Sequence, residues 1–183
     1  MEFYLLANRI GNGLFTKTYL LVILLVFLGL AAMTFAIASH TYATTTPRIA
    51  NQTQQQVNKI RQNITPQSIF LNNFLVSIPA IVPIAGLIIF GRVWINTGQA
   101  IGQLAYSYNL SSSLYVIGVY LPVGTIESLA YSVIIAESLF LTYALVKGTF
   151  IERLKNQTWK SLLLYVVLLA IAATVEAALI MSS

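Results

Sequence analysis

Long apolar runs separated by short polar stretches set the pattern of this chain. Tyr19–Ser39 is uncharged over 21 residues. A membrane-spanning helix needs about 20 apolar residues to cross a core of roughly 30 Å, so this run predicts a first transmembrane helix. A cleaved signal segment is the competing reading, because Ser39–Ala43 contains small residues, but the apolar core of a signal is shorter, about 7–15 residues. Ser68–Gly91 predicts a second span containing Pro79 and Pro83, each of which removes a backbone donor and kinks a helix. Val93–Val123 is uncharged for 31 residues, with a polar patch at Ser107, Tyr108, Asn109 and Ser111–Ser113 in its middle. Facing lipid, that patch is costly, so the segment either is a broken span packed inside the bundle or dips in and returns; the broken, crossing third span is the preferred expectation. Gly124–Val146 and Ser161–Met181 predict spans four and five.

The polar segments have patterns of their own. Within His40–Gln67, Ile49, Thr53, Val57, Ile60 and Ile64 recur at spacings of four and three, which predicts an amphipathic helix in an outer loop, bracketed by Pro47 and Pro66. Residues 1–18 mix apolar side chains with Arg9 and Lys17 and suit a segment lying in the membrane interface. Lys147–Lys160 reads as a charged loop. The fold expected is all-α: one polytopic transmembrane helical bundle over 1–183, with about five spans and a polar extracytoplasmic helix-bearing loop.

Composition supports that solvent. Of 183 residues, 57% are hydrophobic and 8% charged, against about 25% charged in an ordinary soluble domain. The absence of cysteine excludes disulfides and thiolate chemistry, and a single histidine, His40, excludes a His-pair metal site within one chain. The net charge of +5 is scattered around apolar runs, which fits topology better than a nucleic-acid groove. With five crossings and the N-terminus inside, Arg9, Lys17, Arg92, Lys147, Arg153, Lys155 and Lys160 lie inside, against Arg48, Lys59 and Arg61 outside. The positive-inside rule favours that arrangement, with the C-terminus outside. The sequons at Asn51 and Asn63 then face outward.

Three of the five acidic residues, Glu127, Glu137 and Glu176, stand within apolar runs. An intramembrane carboxylate costs about 2.5–3.5 kcal/mol on insertion scales and marks a functional-site candidate. Counting depth at 1.5 Å per residue, Asn72, Asn73, Glu127 and Glu176 fall in one layer near the outer boundary, with His40 capping span one on the same side. Glu137 lies deeper, roughly 15 Å beyond Glu127 along the helix and about 80° around it, where the two would line one polar side of span four. Arg92, at the inner boundary, is too distant to pair with it. Two readings stand: polar groups that hold helices together, or a proton, cation or substrate path. Gly98 and Gly102 form a small-residue pair beside Asn96 that suits close helix contact. No metalloprotease, nucleophile-elbow or phosphate-loop motif occurs, so no catalytic residue, metal or other cofactor is expected, and the chain is not expected to be an enzyme.

Four stretches together resemble the stage II sporulation protein M family of integral membrane proteins: Phe70-Leu-Asn-Asn73, Asn96-Thr-Gly98 with Gly102, Leu121-Pro-Val-Gly-Thr-Ile-Glu127 continuing to Ala136-Glu137, and Ala172-Ala-Thr-Val-Glu176-Ala. They cover roughly residues 68–180. Val123 stands where the family has histidine, and Thr97 intervenes between Asn96 and its glycine. The resemblance implies a multi-pass protein acting within a larger membrane assembly; the family's namesake works with peptidoglycan-cleaving partners. It marks Asn72, Asn73, Asn96, Glu127 and Glu176. The expected function is a non-enzymatic membrane subunit or scaffold, with partners in the lipid bilayer, in other membrane or cytoplasmic proteins or in a second copy, and none among nucleic acids. The alternatives are a permease-like component of an ATP-driven exporter, or a proton or cation pathway through the buried glutamates.

Overall fold

Thr16 starts the first helix by accepting a hydrogen bond from the Tyr19 amide at 3.2 Å, an N-cap that satisfies one of the free donors of a helix start. The computed structural model describes residues 16–61 and 64–181; the interfacial segment expected over 1–18 falls almost wholly outside them, as does Asn63. Helix α1 spans Lys17–Thr44 and α2 Pro47–Arg61. Helix α3, Pro66–Ser77, runs into a 3-10 turn at Ile78–Ile81, and α4 covers Ala85–Ser107. The short α5, Ser112–Tyr115, passes through a π stretch, Val116–Tyr120, into α6, Leu121–Val146. Finally α7, Phe150–Arg153, joins α8, Trp159–Met181, through a second π stretch at Leu154–Thr158. No strand occurs among the described residues.

Three helical stretches are long and apolar enough to cross a membrane: Lys17–Thr44, Gly124–Val146 and Phe150–Ile180. They differ in what surrounds them. The apolar stretch of α6 is 67% buried in the bundle, against 17% for α1, so α6 is the central rod. Its small residues Ala130, Ser132, Ala136 and Ser138, all buried to within 1%, let neighbouring backbones approach closely. Helix α1 instead exposes Leu20, Leu21, Leu24, Leu25 and Leu28 by 48–58%, a surface matched to hydrocarbon.

Contacts fix the direction of each rod. Trp94 donates to the Leu30 carbonyl at 3.2 Å, a Cβ on Gly98 would meet Ile37 at 2.8 Å, and one on Gly102 would meet the Ala38 carbonyl at 2.5 Å. Numbers rise together, so α4 runs parallel to α1, and the glycine pair makes the tight contact expected of it. Against α6 they run oppositely: Trp94 meets Tyr131, and Ser138 donates to the Val82 carbonyl at 3.2 Å. Ser77 bonds the Tyr165 hydroxyl at 2.6 Å, while Ile69 clusters with Ala173 and Ala177, so α3 is antiparallel to α8.

This geometry corrects three boundaries. The stretch 68–91 is not one kinked helix. Val82 is extended ahead of Pro83, as a residue before proline prefers; Ile84 takes φ 64°, Ala85 N–H bonds the Pro83 carbonyl at 2.7 Å, and the chain reverses, with Gly86 packed against the backbone of Pro79 and Ala80. Arg92 is therefore two turns inside α4, not at a boundary. The polar patch at 107–113 is not mid-span either. It is the end of α4 and the N-cap of α5, where Asn109 takes φ 54° and Ser111 accepts from the Leu114 amide at 3.3 Å. Its polar groups serve helix ends, so the broken third span becomes two helices of opposite direction. The charged loop shrinks to 147–149, because helix resumes at Phe150. The amphipathic helix forms at Pro47–Arg61, but its expected face is only partly used: Ile49 and Ile60 stay 40% and 64% exposed, while Thr53 of that face donates to Gln103 at 2.6 Å and the neighbouring Ala50 is buried.

Candidate functional site: a polar cleft and a closed ion pair

The capping box at Thr65 and Ser68, with reciprocal bonds of 3.1 and 2.9 Å, fixes the start of α3 and sets Asn72 and Asn73 two turns inside it. Helix α4 presents Asn96 and Thr97, and α6 presents Glu127 and, one turn later, Tyr131. These side chains line one cavity of about 330 Å³ between α3, α4 and α6, with Val76, Phe90, Val93, Trp94 and Ala100. Four residues predicted for the polar cluster, Asn72, Asn73, Asn96 and Glu127, thus meet in one place. Glu176 on α8 sits within electrostatic reach of Glu127. His40 is exposed and lies outside the lining.

Tyr131 donates its hydroxyl to Glu127 Oε1, and Asn72 Nδ2 donates to Asn73 Oδ1 at 3.3 Å. Behind the polar groups is an aromatic wall. Phe90 stacks on Trp94 at 5.7 Å, and Tyr131 meets both rings edge-on at 5.2 and 5.7 Å. Such packing holds ring positions firmly, so the polar groups are presented from rigid helices.

Glu137 is elsewhere and differently served, contrary to the expectation that it shares a polar side with Glu127. It is 0% exposed. Arg153 donates from Nε to Oε1 at 3.0 Å and from Nη2 to Oε2 at 2.7 Å; Thr158 and Ser161 each donate at 2.8 Å. Tyr19 in turn donates to Ser161 at 2.8 Å, and Arg153 lies 4.6 Å over the Phe140 ring. The partner expected to be missing is Arg153, taken from the sequence as a loop cation. The π stretch explains its reach. In an α-helix residues five apart point well away from each other, whereas the i to i+5 repeat of a π turn brings Arg153 and Thr158 onto one face.

Sequence reasoning also missed Thr97, Tyr131, Phe90 and Trp94. The i, i+4 spacing of Glu127 and Tyr131 was a usable signal; nothing local marks Arg153 or Thr158 as partners of Glu137. Among the described residues no group of three or more His, Cys, Asp or Glu side chains could hold a metal ion.

An all-helical bundle with membrane-length apolar rods and an internal polar cleft defines a membrane-type helical protein. The chain belongs to the stage II sporulation protein M family, whose model matches residues 20–179. No curated protein and no solved structure matches it.

Proposed function

We propose that the protein is a non-enzymatic, five-pass subunit or scaffold of a larger membrane assembly, with its N-terminus cytoplasmic and its C-terminus outside. The observation that carries this reading is the outer face of α4. Arg92 and Gln99 are exposed there, about 20° apart around the helix at 100° per residue. Trp94 touches the carbonyl of Leu30, at the middle of α1, so Arg92 stands near mid-height. An exposed arginine and amide at that depth are costly against lipid and are relieved by a polar partner helix. The alternating directions of α1, α3, α4, α6 and α8 support five crossings, and the charge distribution supports the orientation.

The same geometry disfavours the pathway reading through Glu137, whose carboxylate is enclosed and fully bonded. Absence of native cysteine makes the test clean. Gln99→Cys should cross-link to a neighbouring membrane protein in native membranes, whereas Leu25→Cys, on the lipid face of α1, should not. Equal cross-linking at both positions, or at neither, removes the subunit reading. Gln55→Cys and Lys155→Cys should label from opposite sides of the membrane.

A further inference from the structure

The two glutamates of α6 are treated unequally by their own chain. Glu137 receives a guanidinium and two hydroxyls; that ion pair is the one formed among the described residues. Glu127 receives a phenol from Tyr131 and no counter-cation among those residues. It lines the cavity. Arg92, four residues before Asn96, projects from α4 outside the cavity lining. No Lys, Arg or His is among the described residues of the lining, and the cleft holds what a positive group requires: a carboxyl group, the amide oxygens of Asn72, Asn73 and Asn96, and an aromatic wall.

We infer that the cleft is a binding site for an alkylammonium group. A hard divalent ion takes six or more oxygens at close range, and one carboxylate backed by aromatic rings is a poor cage for it. An ammonium bound to a short alkyl stem fits the mixture better. Its N–H donors go to Glu127 and the asparagine oxygens, and its methylenes go against Phe90 and Trp94, where aromatic faces also attract cations. A cavity of about 330 Å³ is at the small end of ligand sites, which run roughly 300–1,000 Å³, so it suits a head group or small amine. The inference rests on reading the cleft as a recognition site of a membrane subunit, and adds what is recognised. Two sources share this chemistry, an ethanolamine lipid head group and a free amine.

The test uses the full chain carrying Trp159→Phe, which leaves Trp94 as its one tryptophan, in phosphatidylglycerol nanodiscs. Titration with ethylammonium chloride should change Trp94 emission saturably, beyond the effect of equal sodium chloride. Adding Glu127→Gln should weaken the apparent affinity at least tenfold. In nanodiscs containing phosphatidylethanolamine, a lipid source predicts emission already shifted, resistance to further ethylammonium, and retained phosphatidylethanolamine by native mass spectrometry; a free-amine source predicts an unchanged titration. If Glu127→Gln does not fold, Asn73→Leu is expected to weaken binding several-fold in its place. No saturable response in either nanodisc, or one that survives both substitutions at full strength, overturns the inference. The Gln99→Cys cross-link is read in a separate experiment, so either idea can fail alone.

Discussion

Arg153 clasps Glu137 with both arms of its guanidinium, at 3.0 and 2.7 Å, across a turn of chain that joins the central helix to the last one. A planar fork on a carboxylate is the strongest of side-chain pairings, and here the two remaining acceptor positions are filled by Thr158 and Ser161. Removing one partner strands a charge in a dry site, which costs about 3–5 kcal/mol. Arg153→Ala is therefore expected to lower the unfolding midpoint in detergent strongly. The double variant Glu137→Leu with Arg153→Leu should recover most of the loss, since a buried pair replaced by apolar groups is often neutral. A double variant as unstable as the single one would show that the pair does more than satisfy its own charges.

The glycine contacts give a second expectation. Gly98 and Gly102 lie against Ile37, Ala38 and Thr41 with no room for a Cβ, whereas Gly29 has nothing within 4 Å of that position. Gly102→Leu should cost about 1–3 kcal/mol by overpacking, and Gly29→Ala should be neutral or slightly stabilising. Thermal unfolding of the three proteins side by side decides it; equal midpoints would mean that α1 and α4 can separate freely.

Depth was legible in the sequence because helix rise is constant, and so Asn72, Asn73 and Glu127 were placed in one layer by counting alone; Asn96 joined them through the family resemblance. Direction was less legible. Pro79 and Pro83 announce a distortion, but a kink and a reversal use the same residues, and only the close approach of Gly86 to Pro79 and Ala80 tells them apart. Arg92 misled for a related reason. A charge beside an apolar run reads as a boundary, and that reading pushed the polar turn at 108–111 into the middle of a supposed span. The partner of Glu137 was out of reach because it depends on a π turn, a register change of one residue that leaves no periodic trace.

The two glutamates should respond unequally to amide replacement. Glu127→Gln keeps an oxygen for the Tyr131 hydroxyl and removes no ion pair, so its unfolding midpoint should stay within about 1 kcal/mol of the parent, the size of one ordinary hydrogen bond. Glu137→Gln leaves Arg153 without a counter-charge and should fall by several times that amount. Similar midpoints for the two variants would contradict the division drawn between a cleft group and a structural one.

The turn between α3 and α4 stores strain that one substitution should release. Ile84 takes φ 64° and ψ −63°, a conformation that a β-branched residue adopts only at a cost, roughly 1–3 kcal/mol for sparsely populated backbone regions. Its side chain is 59% exposed, so little packing is lost by shortening it. Glycine enters this region freely but raises the entropy of the unfolded chain, which offsets part of the gain. Ile84→Gly should therefore stabilise by about 1 kcal/mol, seen as a higher unfolding midpoint. Ile84→Ala, which keeps the Cβ and its steric cost, should gain nothing. A glycine variant less stable than the alanine one would mean that the Ile84 side chain, not its backbone, holds the reversal in place.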